Sequence, residues 1–392
     1  MDRKIYGNYK NMIYLDNAAT TFPKPTALTE EICRCVKKYC GNPGRSSHAL
    51  SIKAAEKIYE VRTQLAELFG GDAENVVFTY NTTYALNIAI KAYLKYSSHV
   101  LISDLEHNAV LRPIHSLFLQ KMCTYDVFKT SENDDEIIEN IKSAIKSNTS
   151  MLVCTHMSNI CSRRLPIAKI GQLCKERGIT FIVDGAQTAG LYDIDVKKMN
   201  IDALCIPAHK SLYGPQGLGM IIFGNDRVGR SVIEGGTGIN SLELIMPDVL
   251  PEAHEAGTQS TPLIAGLSGS LKWLKAVETE KIRLYEEELY THILSKLKSN
   301  DKIKVYEGSA QPGNTILFNV NNISAVMVSR ELDKRGICTR SGYHCAPLAH
   351  KTLGIRDGGG VRISLSVYNT KSELNTLYDA IEDIIKERDK QA

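Results

Sequence analysis

Between residues 75 and 224 short apolar runs alternate with longer amphipathic stretches, and this rhythm limits the possible folds more than any other feature. "NVVFTY" (75–80) predicts a strand, and "TTYALNIAIKAYL" after it a helix. "HVLISD" (99–104) predicts a strand followed by helical "NAVLRPIHSLFLQK". "SMLVCTHM" (150–157), "TFIVDG" (180–185), "DALCIPA" (202–208) and "LGMIIFG" (218–224) read as buried strands. Helical "IAKIGQLCKERG" precedes the second of these and ends in a basic turn and a glycine cap. Such β-α-β alternation argues for an α/β fold, a largely parallel sheet covered by helices.

The pattern changes after residue 260. "LIAGLSGSLKWLKAVETEKIRLYEEELYTHILSKLKS" reads as one long helical run, and the shorter strands "GNTILFNV" and "GVRISLSV" follow. This predicts a large domain over 21–260, a smaller α+β domain over 261–392, and an N-terminal segment 1–20 that packs with the smaller domain. In two-domain α/β proteins, ligands sit at strand C-termini and at the domain junction.

Bulk properties remove several classes of function. With 392 residues the chain can bury a sizeable core without disulfides. A net charge of +3 and the lack of a basic block argue against nucleic acid. No apolar run approaches the roughly 18–20 residues of a membrane span. "MDRKIYGNYKNMIYLDN" lacks the apolar core of a signal peptide, so a cytoplasmic protein is expected. Its ten cysteines are then reduced thiols. Cys33, Cys35 and Cys40 in "CRCVKKYC" lack zinc-knuckle spacing and read as small residues on a helix, so no metal site is expected.

Three strand ends carry polar groups that a fold alone does not need. In "FTYNTTYALN" a strand runs through Asn81, Thr82 and Thr83 into a helix, which makes either an anion cradle or an ordinary N-cap. In "FIVDGAQTAG" an apolar strand ends in Asp184, with Gln187 three residues on. A carboxylate there needs a partner, either a pyridinium N–H or a structural cation. In "PAHKSLYGPQGLG" His209 and Lys210 follow a strand and precede a glycine-rich turn, and a buried lysine can act as an amine nucleophile. A phosphate cradle, an acid for a ring nitrogen and a Schiff-base lysine, in that order, point to pyridoxal phosphate. No G-x-G-x-x-G follows the first strand, which argues against a nucleotide-binding oxidoreductase.

From "YLDNAATTFPKP" at residue 14 to "VRISLSVYNT" at residue 370 the sequence resembles the pyridoxal-phosphate-dependent class V aminotransferase family, cysteine desulfurase group. Intermediate matches are "GNPGRSSHALS", "EHNAVLRPI", "VDGAQTAG", "HKSLYGPQGLG", "GGTG" and "EAGTQSTPLIAGL". "RSGYHCAPLAH" (340–350) resembles the Arg-x-Gly-x-His-Cys-Ala form of the sulfur-mobilisation type and of selenocysteine lyases. The resemblance implies a type I pyridoxal-phosphate fold in which 21–260 binds the cofactor and the C-terminal domain carries the Cys345 loop. It implies that Lys210 forms the Schiff base, Asp184 pairs with the pyridinium nitrogen and Gln187 bonds the phenolic oxygen. His107 would stack on the ring, while Thr82, Thr83 and His209 hold the phosphate. Thr258 would reach the phosphate of a second subunit, which implies a homodimer. Asn159 would serve both cofactor and substrate. Arg362 would grip the substrate carboxylate with Arg340 beside the thiol loop, and Cys345 would accept sulfur and pass it to an acceptor protein.

The implied activity is desulfuration of L-cysteine to L-alanine. Selenocysteine lyase or another β-lyase is the alternative within this chemistry, and a non-catalytic scaffold the alternative outside it. His344 and Arg340 are the sequence neighbours that could activate the thiol. The family's Asn-x-x-Gly-Thr is replaced here by "NICSR", with Ser162 and Arg163 in the Gly-Thr places and Arg164 next. Both arginines are expected to face solvent, an acidic partner or the substrate. Pro207 and Ala208 stand where a hydroxyl residue and glycine are usual. Asn81 stands where glycine is common, a change that left-handed geometry would tolerate.

Overall fold

The computed structural model describes residues 12–44, 46–308, 311–355 and 357–390. Residues 1–11 of the expected N-terminal segment, and Arg45 of the "GNPGRSSHALS" motif, lie outside them. The chain divides into two compact units, residues 24–157 with 164–279, and residues 12–23 with 158–163 and 280–390.

In chain order the first element is β1 (Ile13–Tyr14), a strand of the smaller unit. The larger unit follows with α1 (Thr26–Lys38), α2 (Ala49–Phe69), β2 (Val76–Thr79), α3 (Thr82–Tyr93), β3 (Ser98–Ser103), α4 (Asn108–Leu119) and β4 (Cys123–Phe128). It continues through α5 (Asp134–Ala144), β5 (Thr149–Thr155), α6 (Ile167–Arg177), β6 (Thr180–Asp184), β7 (Ala203–Pro207), β8 (Gly219–Phe223) and α7 (Thr261–Val277). Its strands form one seven-stranded sheet in the order β2-β8-β7-β6-β5-β3-β4. All neighbours are parallel except β8, which runs against both β2 and β7. Every residue of β3, β6, β7 and β8 is buried, as uninterrupted apolar runs require of strands covered on both faces. Helix α6 ends at Gly178 in the left-handed conformation, the cap its sequence predicts.

Sequence pattern alone leaves β4 out. It is an edge strand, buried only at its two ends, and its "CTYDVF" lacks the continuous apolar run that marks its neighbours.

The smaller unit contains α8 (Thr279–Lys298), β9 (Ile303–Tyr306), β10 (Thr315–Val320), α9 (Ala325–Lys334), β11 (Ile337–Cys338), β12 (Arg340–Gly342), α10 (Pro347–Thr352), β13 (Gly360–Ser364) and α11 (Lys371–Asp389). Its antiparallel sheet has the order β12-β13-β10-β9, and β1 pairs in parallel with β11. Leu15, Ile293, Phe318, Val328, Ile363, Leu377 and Ile381 lie in its core.

Two expectations change. The long run after residue 260 is two helices, broken at Glu278, whose φ of 67° stops the first. The first of them, α7, belongs to the larger unit, so the boundary falls at 279/280 instead of 260/261. The reason is packing. Helix α1 lies so close on α7 that a Cβ on Gly266 would sit 2.6 Å from the Ile32 side chain, and one on Gly269 would strike the Ala27 carbonyl.

Candidate active site

Register places five expected residues of the larger unit at one sheet edge. Asp184, the last residue of β6, pairs with Thr155 of β5 and with Cys205 of β7. Pro207 at the end of β7 and Thr79 at the end of β2 both pair with Gly219. The C-terminal ends of β2, β5, β6 and β7 therefore share an edge, and Thr82, Thr83, Asp184, His209 and Lys210 stand on or just after it. His107 follows β3, which is parallel to β5, by the same logic.

At the start of α3 the Asn81 side chain accepts the Tyr84 N–H at 3.1 Å. Its φ of −174° is extended, so Asn81 stands here as a cap and not through left-handed geometry. Thr82 is buried, and its Oγ1 has no hydrogen-bond partner among the described residues. A buried hydroxyl left without a partner at the positive end of a helix suits an anion. Thr83 is exposed. His107 caps α4, its Nδ1 accepting the Ala109 N–H at 3.0 Å. That bond places the neutral ring's proton on Nε2 and fixes the plane of the imidazole.

Asp184 and Gln187 are both buried. Asp184 Oδ1 accepts the Ala186 N–H at 2.9 Å. Burial raises its carboxyl, and the Ala186 N–H and the Lys210 cation act against that rise. Lys210 is half-buried just past β7. The preceding carbonyl, of His209, accepts a 2.7 Å bond from Lys24 Nζ. Burial pushes the Lys24 ammonium down to about 7. Burial, followed by the Lys210 and Lys24 charges, pushes His209 down to about 4, so its imidazole is neutral. Ala208 is fully buried and supplies no hydroxyl.

The donor set fits pyridoxal phosphate: an unpartnered hydroxyl at a helix start for the phosphate, a buried carboxylate for the ring nitrogen, and a lysine amine for the aldehyde. Thr258 stands apart from it, exposed on the irregular segment after β8, next to Gly257, whose N–H bonds Gly236.

The remaining expected residues belong to the smaller unit. Arg362 on β13 is 1% exposed. Its Nη2 donates to Asp16 Oδ1 at 2.6 Å and its Nη1 to the Asn159 carbonyl at 3.2 Å. Its Nε has no partner among the described residues, and burial lowers its pKa. Arg340 is its direct cross-strand partner on β12. Like charges placed opposite repel, unless an anion lies between them.

Asn159 donates from Nδ2 to the His344 carbonyl at 2.9 Å. It thus ties the thiol loop to the segment on which Arg362 rests. His344 and Cys345 both have left-handed backbones, with φ of 52° and 57°. Cys345 is exposed. His344 is buried, and its Nε2–H donates to the Arg340 carbonyl at 3.2 Å. Burial, followed by the Arg362 charge, pushes His344 down to about 3. In that state the ring offers a thiolate no positive charge. His350 stacks on it with centroids 5.9 Å apart. Among the described residues no three His, Cys, Asp or Glu side chains converge as metal ligands would.

The altered loop is folded into the protein and not turned to solvent. Ser162 takes the left-handed position, φ 55°, accepts the Thr315 N–H at 2.9 Å and donates to the Thr315 carbonyl at 3.0 Å. Arg163 is buried and bonds the Gly308 carbonyl. Arg164 lies over the Tyr192 ring at 4.3 Å, both in the larger unit.

The profile of the family described as Aminotransferase class-V matches residues 13–377. The chain belongs to the class V aminotransferase family. Within that family it is 29% identical over 383 residues to a probable cysteine desulfurase of Methanothermobacter thermautotrophicus, covering 96% of this chain and 95% of that one. It is 28% identical to a cysteine desulfurase of Cronobacter sakazakii, covering 94% and 92%. Among solved structures, the apo cysteine desulfurase of Thermococcus onnurineus superposes with a TM-score of 0.88 at 28% identity, covering 96% and 95%. The S-sulfonic acid form of an Escherichia coli cysteine desulfurase gives 0.86 at 25%, with the same coverage. This chain shares with these structures the α/β fold with its large, mostly parallel sheet.

Three residues escaped the sequence reading. Asp16 and Lys24 sit in "YLDNAATTFPKP", and Glu106 precedes His107 in "EHNAV". Each is a charged residue in or beside an apolar stretch, which is the signal that could have found them.

Proposed function

We propose that this protein is a cysteine desulfurase that removes sulfur from L-cysteine, releases L-alanine and keeps the sulfur as a persulfide on Cys345. The observation that carries this reading is the linkage in the smaller unit, where a buried guanidinium and an exposed thiol on a left-handed loop are joined through Asn159.

Pyridoxal phosphate held by Thr82, Thr83, His107, Asp184, Gln187, His209 and Lys210 supplies an electron sink that lets an amino acid lose its Cα proton. The rest of the chemistry belongs to the chain. Asp184 carries the negative charge that keeps a ring nitrogen protonated. Lys210 receives the Cα proton on its free amine. Arg362, opposed by Arg340 and bearing an unused Nε–H, takes the substrate carboxylate. The Cys345 thiolate attacks the substrate sulfur as the C–S bond breaks, and its sulfur–sulfur bond replaces that bond. The three-carbon product regains its Cα proton from Lys210, takes at Cβ the proton given up when the Cys345 thiolate formed, and leaves as alanine, so cysteine plus enzyme thiol becomes alanine plus enzyme persulfide. Because Cys345 is exposed, a thiol of an acceptor protein can take the outer sulfur.

The reading includes a homodimer. Leu242, Leu244 and Ile245 are almost fully exposed on the same irregular segment as Thr258, and a second copy would cover such a patch.

Cys345→Ser tests the assignment. It should lower alanine formation from cysteine by at least about a hundredfold while the visible band of lysine-bound cofactor stays in place. Full turnover by this variant would transfer the role to another residue.

A further inference from the structure

Glu106 has no part in this chemistry, yet it is a fully buried acid at the same sheet edge. It lies between β3 and α4, one residue before His107. Its Oε1 accepts the Ser103 hydroxyl and, at 2.9 Å, the N–H of Thr155. Thr155 is the cross-strand partner of Asp184. The side chain therefore braces the end of β3 against β5, next to the strand that presents Asp184. Its other oxygen, Oε2, is buried and has no hydrogen-bond partner among the described residues.

We propose that Glu106 is a positioning residue of the cofactor site, an uncharged carboxylic acid that braces the sheet edge and leaves Asp184 as the one negative charge there. This rests on the reading that Asp184 faces a ring nitrogen. A buried carboxylate with one bare oxygen is costly unless a cation meets it. Besides burial, the largest influences on Glu106 are the Ser103 hydroxyl and backbone, the Thr155 N–H on β5 and the Asp184 carboxylate on β6, and none of these is a cation. Cys154 on β5 is fully buried, and burial holds its thiol well above the ordinary value. Asp184, in contrast, has the Ala186 N–H and the Lys210 charge in its favour. Of two buried acids that act on each other, the one without a cation keeps the proton. Burial accordingly pushes Glu106 up to about 8, the Asp184 charge adding to it and the Ser103 and Thr155 bonds opposing. Below that value the edge carries one negative charge. Above it Glu106 gives its proton to solvent and a second charge appears.

The test is Glu106→Gln in the holoenzyme, because glutamine keeps the shape and stays neutral at every pH. The visible spectrum of the bound cofactor is titrated between about pH 6 and pH 10. The wild type should show a transition near the Glu106 value that the variant lacks. Infrared difference spectra should show a carboxylic-acid carbonyl band in the wild type that is absent from the variant and disappears through the same transition. A variant that keeps both the transition and the band overturns the proposal. Should the variant fail to fold, the wild-type infrared titration decides, and the absence of an acid band titrating there overturns it equally. A wild type without the visible band defeats the cofactor reading instead, and the infrared band, which needs no cofactor, still decides whether Glu106 is neutral.

Discussion

Cys345 is one of three exposed thiols among ten free cysteines, and it alone of the three lies on a loop with two successive left-handed residues. Each such residue costs roughly 1–2 kcal/mol, so the surroundings must hold it there. The bond from Asn159 to the His344 carbonyl is one such restraint, and Asn159 in turn receives Arg362. Arg362→Lys should therefore raise KM for cysteine by about tenfold or more, since lysine offers no bidentate fork. Steady-state kinetics with cysteine check this, and an unchanged KM would remove Arg362 as the carboxylate anchor. At this scale Cys345 and Lys210 were legible as candidates because each sits in a short local motif. Asp16 was not, because its partner Arg362 lies 346 residues away and only the fold joins them. The protonation state of His344 was not legible for a related reason. Proximity in sequence placed His344 beside the sulfur, whereas burial strips it of charge.

The segment 158–163 is short, interrupts the larger unit's sequence and belongs to the smaller unit. Ser162 anchors it through two bonds to Thr315 and a weaker one from the Asn314 N–H at 3.3 Å. Ser162→Ala leaves buried main-chain groups unpaired and should cost about 1–3 kcal/mol in urea unfolding. Ser162→Gly should cost less, because glycine relieves the left-handed strain while it loses the same bonds. Equal losses would mean that the φ of 55° carries no strain. The serine that stands in the place of the family's glycine thus takes a left-handed conformation, which glycine favours, and makes hydrogen bonds that glycine could not. Sequence could show the replacement but not this outcome, since the partners come from β10. The buried strands were legible as apolar runs. The edge strand β4 and the break at Glu278 were not, because an edge strand needs no apolar run and a single left-handed residue leaves little trace in a helical pattern.

Across the whole molecule two buried histidines and the half-buried His209 link stability to pH. Burial holds His156 and His344 near 3 and His209 near 4, against about 6.5 in the unfolded chain. Between those values the unfolded state binds more protons, so stability rises with pH. The contribution is present above about pH 6.5 and is lost as pH falls toward the folded-state values, by up to about 1.4 kcal/mol per pH unit for each histidine. Urea midpoints measured from neutral pH down to about pH 4.5 should fall steeply. A flat profile would show that these rings gain no protons on unfolding. None of the three shifts was legible in sequence, since each depends on how much water the finished fold excludes.

On the proposed reading, substrate sulfur comes to rest on Cys345. Mass spectrometry of the holoenzyme after brief treatment with cysteine, without reductant, tests it most directly. The peptide containing Cys345 should gain the mass of one sulfur atom, an added thiol should discharge this gain, and alanine should appear in equal amount. Sulfur located on another cysteine, or alanine formed with Cys345 unmodified at every time point, would contradict it.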